Sequence, residues 1–173
     1  MKAPAINERT AAANHTKAID LDSQPSVLVA TNDLEIQENV SGLLQLFPVK
    51  TLWAKGLEEV KSVLSRENVA VCFCGFWLVD GTYRDVVRHL RSQPAEIPAI
   101  IVCDPSCSHE YRDYLAALNM RAFDFICHPY RKPDIERILR LAIDAHQGSE
   151  ALRLASPAPS TSIPSVSGLR RAS

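Results

Sequence analysis

No stretch of this chain approaches the roughly 18 consecutive apolar residues that a membrane-spanning helix needs. The N-terminal MKAPAINERTAAANHTKAIDLDSQP also lacks the unbroken apolar centre of a signal peptide. A cytoplasmic protein is therefore expected. Charge of one sign is missing too: 19 Lys and Arg stand against 20 Asp and Glu, interspersed, for a formal net charge of -1. A surface built to coat nucleic acid would be strongly basic, so direct nucleic-acid binding is not expected. There is no C-x-x-C spacing, and the five cysteines, Cys72, Cys74, Cys103, Cys107 and Cys127, are odd in number and sit mostly in apolar runs. That pattern excludes the disulfide framework of a small secreted domain and fits reduced thiols. No glycine-rich phosphate loop, G-x-S-x-G or pair of catalytic carboxylates occurs, so the chain is not expected to be an enzyme.

What remains is an ordinary globular composition, 46% hydrophobic and 23% charged over 173 residues, a length that suits one core with tails. Residues 1–25 carry no sustained hydrophobic period and read as a disordered leader. From Gln147 onward the sequence is rich in Ser, Ala and Pro and reads as a disordered tail over residues 147–173. The folded unit is then residues 26–146. Within it short apolar runs alternate with helix-period segments. Val27 to Ala30, Val49 to Ala54, Val69 to Gly75, Pro98 to Cys103 and Ala122 to Cys127 read as five buried strands. Between the first two, Ile36, Val40, Leu43, Leu44 and Phe47 fall on one helical face that Pro48 ends. Four further helices are expected around Leu57 to Leu64, Tyr83 to Leu90, Ser108 to Leu118, and from Pro133 on. Five strand–helix units predict an α/β fold: a doubly wound, five-stranded parallel sheet with helices on both faces and its site at the C-terminal strand ends.

At those strand ends the sequence resembles the receiver domain of two-component (phosphorelay) response regulators, over about Ser26 to His146. The resemblance is carried by AFDFICHPYRKPDIERIL, Ala122 to Leu139, similar to the family's last strand, Lys-Pro step and final helix, and by FWLVDG, Phe76 to Gly81, similar to its turn after strand three. It implies the flavodoxin-like strand order 2-1-3-4-5. It also implies a phosphoacceptor aspartate ending strand three, Mg²⁺ held by an acidic pair after strand one, a hydroxyl residue after strand four and a lysine after strand five. These would supply a carboxylate nucleophile, a hard cation, a hydrogen-bond donor and a fixed positive charge. Carried over residue by residue, the pocket is degenerate. Asn32 and Asp33 match the acidic pair, Cys103 stands for the hydroxyl residue, His128 for the lysine, and Gly75, or Cys74 in a register shifted by one, for the acceptor. Asp104 is the one further carboxylate in reach. Phe125 matches the family's switch aromatic, although packing alone accounts for an apolar strand residue, and the His128–Pro129 bond would be cis by resemblance.

The expectation is therefore a pseudo-receiver that is not phosphorylated, needs no cofactor, and binds Mg²⁺ only weakly through Asp33. It signals by protein contact with a kinase, regulator or effector, through its fourth helix, fifth strand and fifth helix, including Tyr111, Tyr114, Arg137 and Arg140. Only 27 residues follow His146, too few and too Pro- and Ser-rich for a helix-turn-helix output domain. A homodimer is left open. Two alternatives stay beside this reading. One is a receiver phosphorylated at a non-standard aspartate, with Asp80 the nearest carboxylate after strand three. The other is a thiol or metal sensor in which Cys74, Cys103 and Cys127 gather with His128 and Asp33. His146 reads as a helix-surface residue, and Trp53 and Trp77 as packing or partly exposed side chains.

Overall fold

The computed structural model describes residues 24–103 and 110–155. The expectations for the leader, for Asp104 and Cys107, and for the chain beyond Ala155 fall outside them. The side chain of Tyr111 does as well, although its backbone is described.

Ser26–Ala30 form β1, buried along its whole length, as a continuous apolar run in a sheet covered on both faces must be. The chain turns at Thr31 and Asn32, and α1 runs from Leu34 to Leu44. Asp33 is its N-cap: one carboxylate oxygen accepts from the amides of Glu35 at 2.8 Å and Ile36 at 3.2 Å. Ile36, Val40 and Leu44 are its buried stripe. Then follow β2 (Lys50–Ala54), α2 (Leu57–Leu64) and β3 (Val69–Gly75), the last buried throughout. A short antiparallel hairpin, β4 (Trp77–Leu78) with β5 (Gly81–Thr82), stands where the sequence suggested only a turn. α3 (Tyr83–Arg91) starts from Thr82, whose amide and hydroxyl both donate to the Asp85 carboxylate at 3.0 and 2.9 Å. β6 (Ala99–Cys103), α4 (Glu110–Asn119), β7 (Asp124–Cys127) and α5 (Lys132–Ala155) complete the chain.

The main sheet has five strands in the order β2-β1-β3-β6-β7, and every neighbouring pair is parallel. This is the doubly wound parallel sheet that the alternation implied, in the flavodoxin-like order that the family resemblance implied. One layer of core joins Leu28, Cys72, Cys74 and Ile101 of the sheet to Val60 of α2, Val86, Val87 and Leu90 of α3, and Ala117 of α4. The other joins Val29, Phe73, Ile100 and Val102 to Ile36 and Val40 of α1 and to Ile135, Ile138 and Ala142 of α5. The His128–Pro129 peptide is cis. No helix among the described residues is long and apolar enough to cross a membrane.

Two expectations are corrected. The tail does not begin at Gln147, because α5 continues to Ala155. Glu150, Ala151, Leu152, Arg153 and Leu154 are good helix formers that carry the helix past Gly148, and the next residue disfavouring it is the one preceding Pro157. Composition averaged over the whole stretch hid this. Nor is His146 a surface residue: it is 4% exposed, and its Nδ1 donates to the Glu96 carbonyl at 3.0 Å. One turn on, the Ser149 hydroxyl accepts from the Glu96 amide at 3.1 Å, which ties the C-terminal half of α5 to the loop before β6.

Candidate functional site

Because all five strands of the sheet run parallel, their C-terminal ends lie along one edge, and the residues just beyond them form the expected pocket. Thr31 leaves β1 with its amide bonded to the Ala54 carbonyl of β2 at 2.9 Å. It is 3% exposed. Its hydroxyl accepts from the Asp33 amide at 3.1 Å, which holds it over the end of β3. A Cβ placed on Gly75 would lie 2.7 Å from that hydroxyl oxygen and 3.2 Å from the Thr31 Cβ. A glycine suits this close approach: Thr31 fills the space into which a side chain at position 75 would project. Thr31 was not among the residues singled out from sequence. No local pattern could have found it, since the contact joins two strands about forty positions apart.

The other residues of the degenerate set are dispersed. Asn32 is exposed, and Asp33 spends a carboxylate oxygen on the start of α1. Cys74 is fully buried and lies in register between Ala30 and Ile101 on the opposite face of the sheet from Gly75. Burial pushes its thiol well above the usual range, helped by Cys72, and burial alone lifts Cys72 to about 12. Cys103 is buried at the end of β6, in register with Cys127 of β7. Its carbonyl accepts from the Tyr130 hydroxyl at 2.6 Å and, at 3.4 Å, from the His128 amide. The His128 side chain is exposed, with its ring edge-on to that of Tyr130 at 5.5 Å.

These residues do not fit a Mg²⁺ site. The ion demands several oxygen ligands in near-octahedral geometry, whereas Thr31 and Asn32 carry no charge, Gly75 has no side chain, and Asp33 is turned to backbone amides. Among the described residues there is no cluster of three or more His, Cys, Asp or Glu side chains suited to any metal. The alternative in which Cys74, Cys103, Cys127, His128 and Asp33 come together is therefore not what the described chain forms.

Asp80, the other candidate, has a structural task. It sits at the turn of the β4–β5 hairpin, and its two carboxylate oxygens accept from the amides of Leu57 and, at 3.1 Å, Glu58, the open N–H groups at the start of α2. Gly56 makes room for it: a Cβ there would stand 2.7 Å from the Asp80 carboxylate. The amides of Glu58 and Leu57 hold the Asp80 carboxyl below its ordinary value. A folded value below the unfolded one means that the carboxylate contributes stability above the unfolded pKa, lost as pH falls through the folded pKa. Asp80→Asn should accordingly lower the urea midpoint more at neutral pH than at pH 3, since the contribution shrinks as pH falls below the ordinary carboxylate range. An equal loss at both pH values would show that the charge plays no part.

Phe125 lies on the face of β7 that carries the first core layer, half-buried. It stands edge-to-face with Phe76, just after β3, and with Tyr114 of α4, each at 5.9 Å, and Phe76 continues the chain of rings to Tyr83 at 5.1 Å. Beyond Tyr114, the exposed face of α4 presents Leu115 and Leu118, 42% and 37% exposed. These two apolar residues were not foreseen, though their spacing with Tyr114 was readable as one helical face. On α5, Arg137 is exposed, and Arg140 pairs with Glu136 at 3.0 Å.

The chain thus combines five parallel strands in this order with a Lys-Pro step beginning the last helix and rings linking the residue after β3 to α4. No family model matches the chain. In sequence it is 24% identical over 135 residues to the response regulator protein PilR of Pseudomonas aeruginosa, across 78% of this chain and 28% of that protein. The chain thus spans little more than a quarter of this relative's length. In structure it is similar to the signal receiver domain of an HD domain-containing protein from Pseudomonas fluorescens (TM-score 0.64, 19% identity, 75% of this chain and 93% of that one). It is also similar to NtrX from Brucella abortus (TM-score 0.60, 19% identity, 76% of this chain and 29% of that one). The fold is that of response-regulator receiver domains.

Proposed function

We propose that this chain is a pseudo-receiver: a cytoplasmic two-component signalling module that takes up no phosphoryl group, catalyses nothing, needs no cofactor and acts by binding another protein. The observation that carries this reading is Thr31 filling the acceptor position at Gly75. A phosphoryl group needs a carboxylate nucleophile and a cation beside it. Among the described residues the strand ends supply a glycine, a threonine hydroxyl and a capped aspartate in their place. The candidate output surface is α4, β7 and α5, where Tyr114, Leu115 and Leu118 expose apolar side chains on α4, and Arg137 and Arg140 are exposed on α5. A kinase, a regulator, an effector or a second copy of the chain fits such a face, whereas a near-neutral charge gives DNA little to hold.

The test is intact-mass measurement after incubation with a small phosphodonor and millimolar Mg²⁺. An unchanged mass is expected, and a stable gain of one phosphoryl group ends the proposal. For the output face, Leu115→Ala with Leu118→Ala should weaken binding of a partner captured from the native cell by roughly tenfold to a hundredfold, the loss of one to two hot-spot side chains. Undiminished affinity would move the contact elsewhere.

A further inference from the structure

Five cysteines are unused by the pseudo-receiver reading, and the structure divides the described ones sharply. Cys72 has Leu28 and Ala99 as its in-register neighbours, and Cys74 has Ala30 and Ile101, so neither faces a thiol across the sheet. Cys103 and Cys127 are each other's partners at the ends of β6 and β7. On β6, Ala99 and Ile101 belong to the first core layer and Ile100 and Val102 to the second, so the alternation puts Cys103 on the first face. On β7, Phe125 packs on the first layer and Ile126 on the second, which puts Cys127 on the same face. Adjacent strands lie about 4.8 Å apart, inside the Cα separation of roughly 4.4–6.8 Å that a disulfide spans. Cys127 is only half-buried while Cys103 is fully buried, so Cys127 is the residue of the pair that reaches solvent.

We propose that Cys103 and Cys127 form a reversible redox pair, oxidised by hydrogen peroxide or a related hydroperoxide to a disulfide linking the ends of β6 and β7. The Cys127 thiolate attacks one peroxide oxygen; an S–O bond forms, the O–O bond breaks, and the departing hydroxide leaves as water after taking up a proton, giving a sulfenic acid. The Cys103 sulfur then attacks the Cys127 sulfur. The S–S bond forms as the S–O bond breaks, and the Cys103 proton leaves with the hydroxide as a second water. In sum two thiols lose two electrons and two protons, and one peroxide is reduced to two waters. The cross-link falls beside the Cys103 carbonyl that holds Tyr130 and His128, and two residues from the Phe125 ring, so it stiffens the edge of the sheet that carries the proposed output face. Cys72 and Cys74 are internal controls, because both are fully buried and neither has a cysteine as its in-register neighbour.

The full chain should be treated with a small molar excess of hydrogen peroxide, alkylated under denaturing conditions and mapped by peptide mass. The expected product joins the Cys103 and Cys127 peptides with loss of two hydrogens, is reversed by dithiothreitol, survives Cys107→Ser, and disappears entirely in Cys103→Ser and in Cys127→Ser. The wild-type map alone decides the matter if a serine variant misfolds. Full alkylation of both thiols after peroxide, over-oxidation of Cys127 with no cross-link, or a disulfide through Cys107 would each overturn the proposal.

Discussion

Gly75→Asp, the substitution that would restore an acceptor carboxylate, is expected to destabilise the domain by about 3 kcal/mol or more. Overpacking a filled core site costs about 1–3 kcal/mol, and a carboxylate placed there without a cation or donors adds to that. Its Cβ would enter the space of the Thr31 hydroxyl, 2.7 Å away. A fall in Tm of more than about 10 °C should follow. Thr31→Gly in the same chain removes both the hydroxyl and the Cβ, and should return about 1–2 kcal/mol as positive coupling in a double-mutant cycle. The same logic governs any rebuilding of the pocket. Gly75→Asp with Cys103→Thr and His128→Lys, the set that the family resemblance suggests, should stay silent toward phosphodonors while Thr31 remains. Strict additivity of the Thr31 and Gly75 effects in urea titrations would remove this account of the position.

The second large effect is expected at Phe125. Truncating a fully buried Phe to Ala costs about 3–5 kcal/mol; Phe125 is half-buried, so about 2 kcal/mol is expected. What distinguishes this site from other core positions is where the loss is felt. Phe125 is the middle ring between Phe76 and Tyr114, and edge-to-face pairs contribute about 0.5–1.5 kcal/mol each beyond burial. Phe125→Ala should therefore raise amide exchange in α4 selectively, while α1 and α5, on the other face of the sheet, keep their protection. Phe125→Leu retains most of the volume but no ring, and should restore stability more fully than it restores α4 protection. Uniform loosening of both faces would mean that the rings do not act as a connected unit.

The strands were legible because a sheet covered on both faces must be written in unbroken apolar runs, and Val69 to Gly75 is bounded in the structure where its composition changes. The helix stripes at Ile36, Val40 and Leu44 and at Val86, Val87 and Leu90 were legible for the same reason. The pocket was only half legible. That Gly75 is no acceptor follows from its identity, but that Thr31 occupies its space depends on how closely two strand ends approach, which no periodicity encodes. Asp33 looked like a metal ligand because carboxylates near strand ends are; its use as an N-cap depends on which way one side chain turns. Asp80 was weighed only as a nucleophile, since its partner amides at Leu57 and Glu58 are more than twenty residues away.

The continuation of α5 gives the domain a pointer. After Ser149, the last residue of α5 with a bond to the body of the domain among those described above, six helical residues remain, about 9 Å of rod at 1.5 Å per residue. A rod transmits angle as well as distance: each residue inserted or removed between Ser149 and Ala155 turns everything carried at its end by about 100°, whereas a change of seven nearly preserves the heading. The heading of the helix at Ala155 is thereby set by the sheet it grows from.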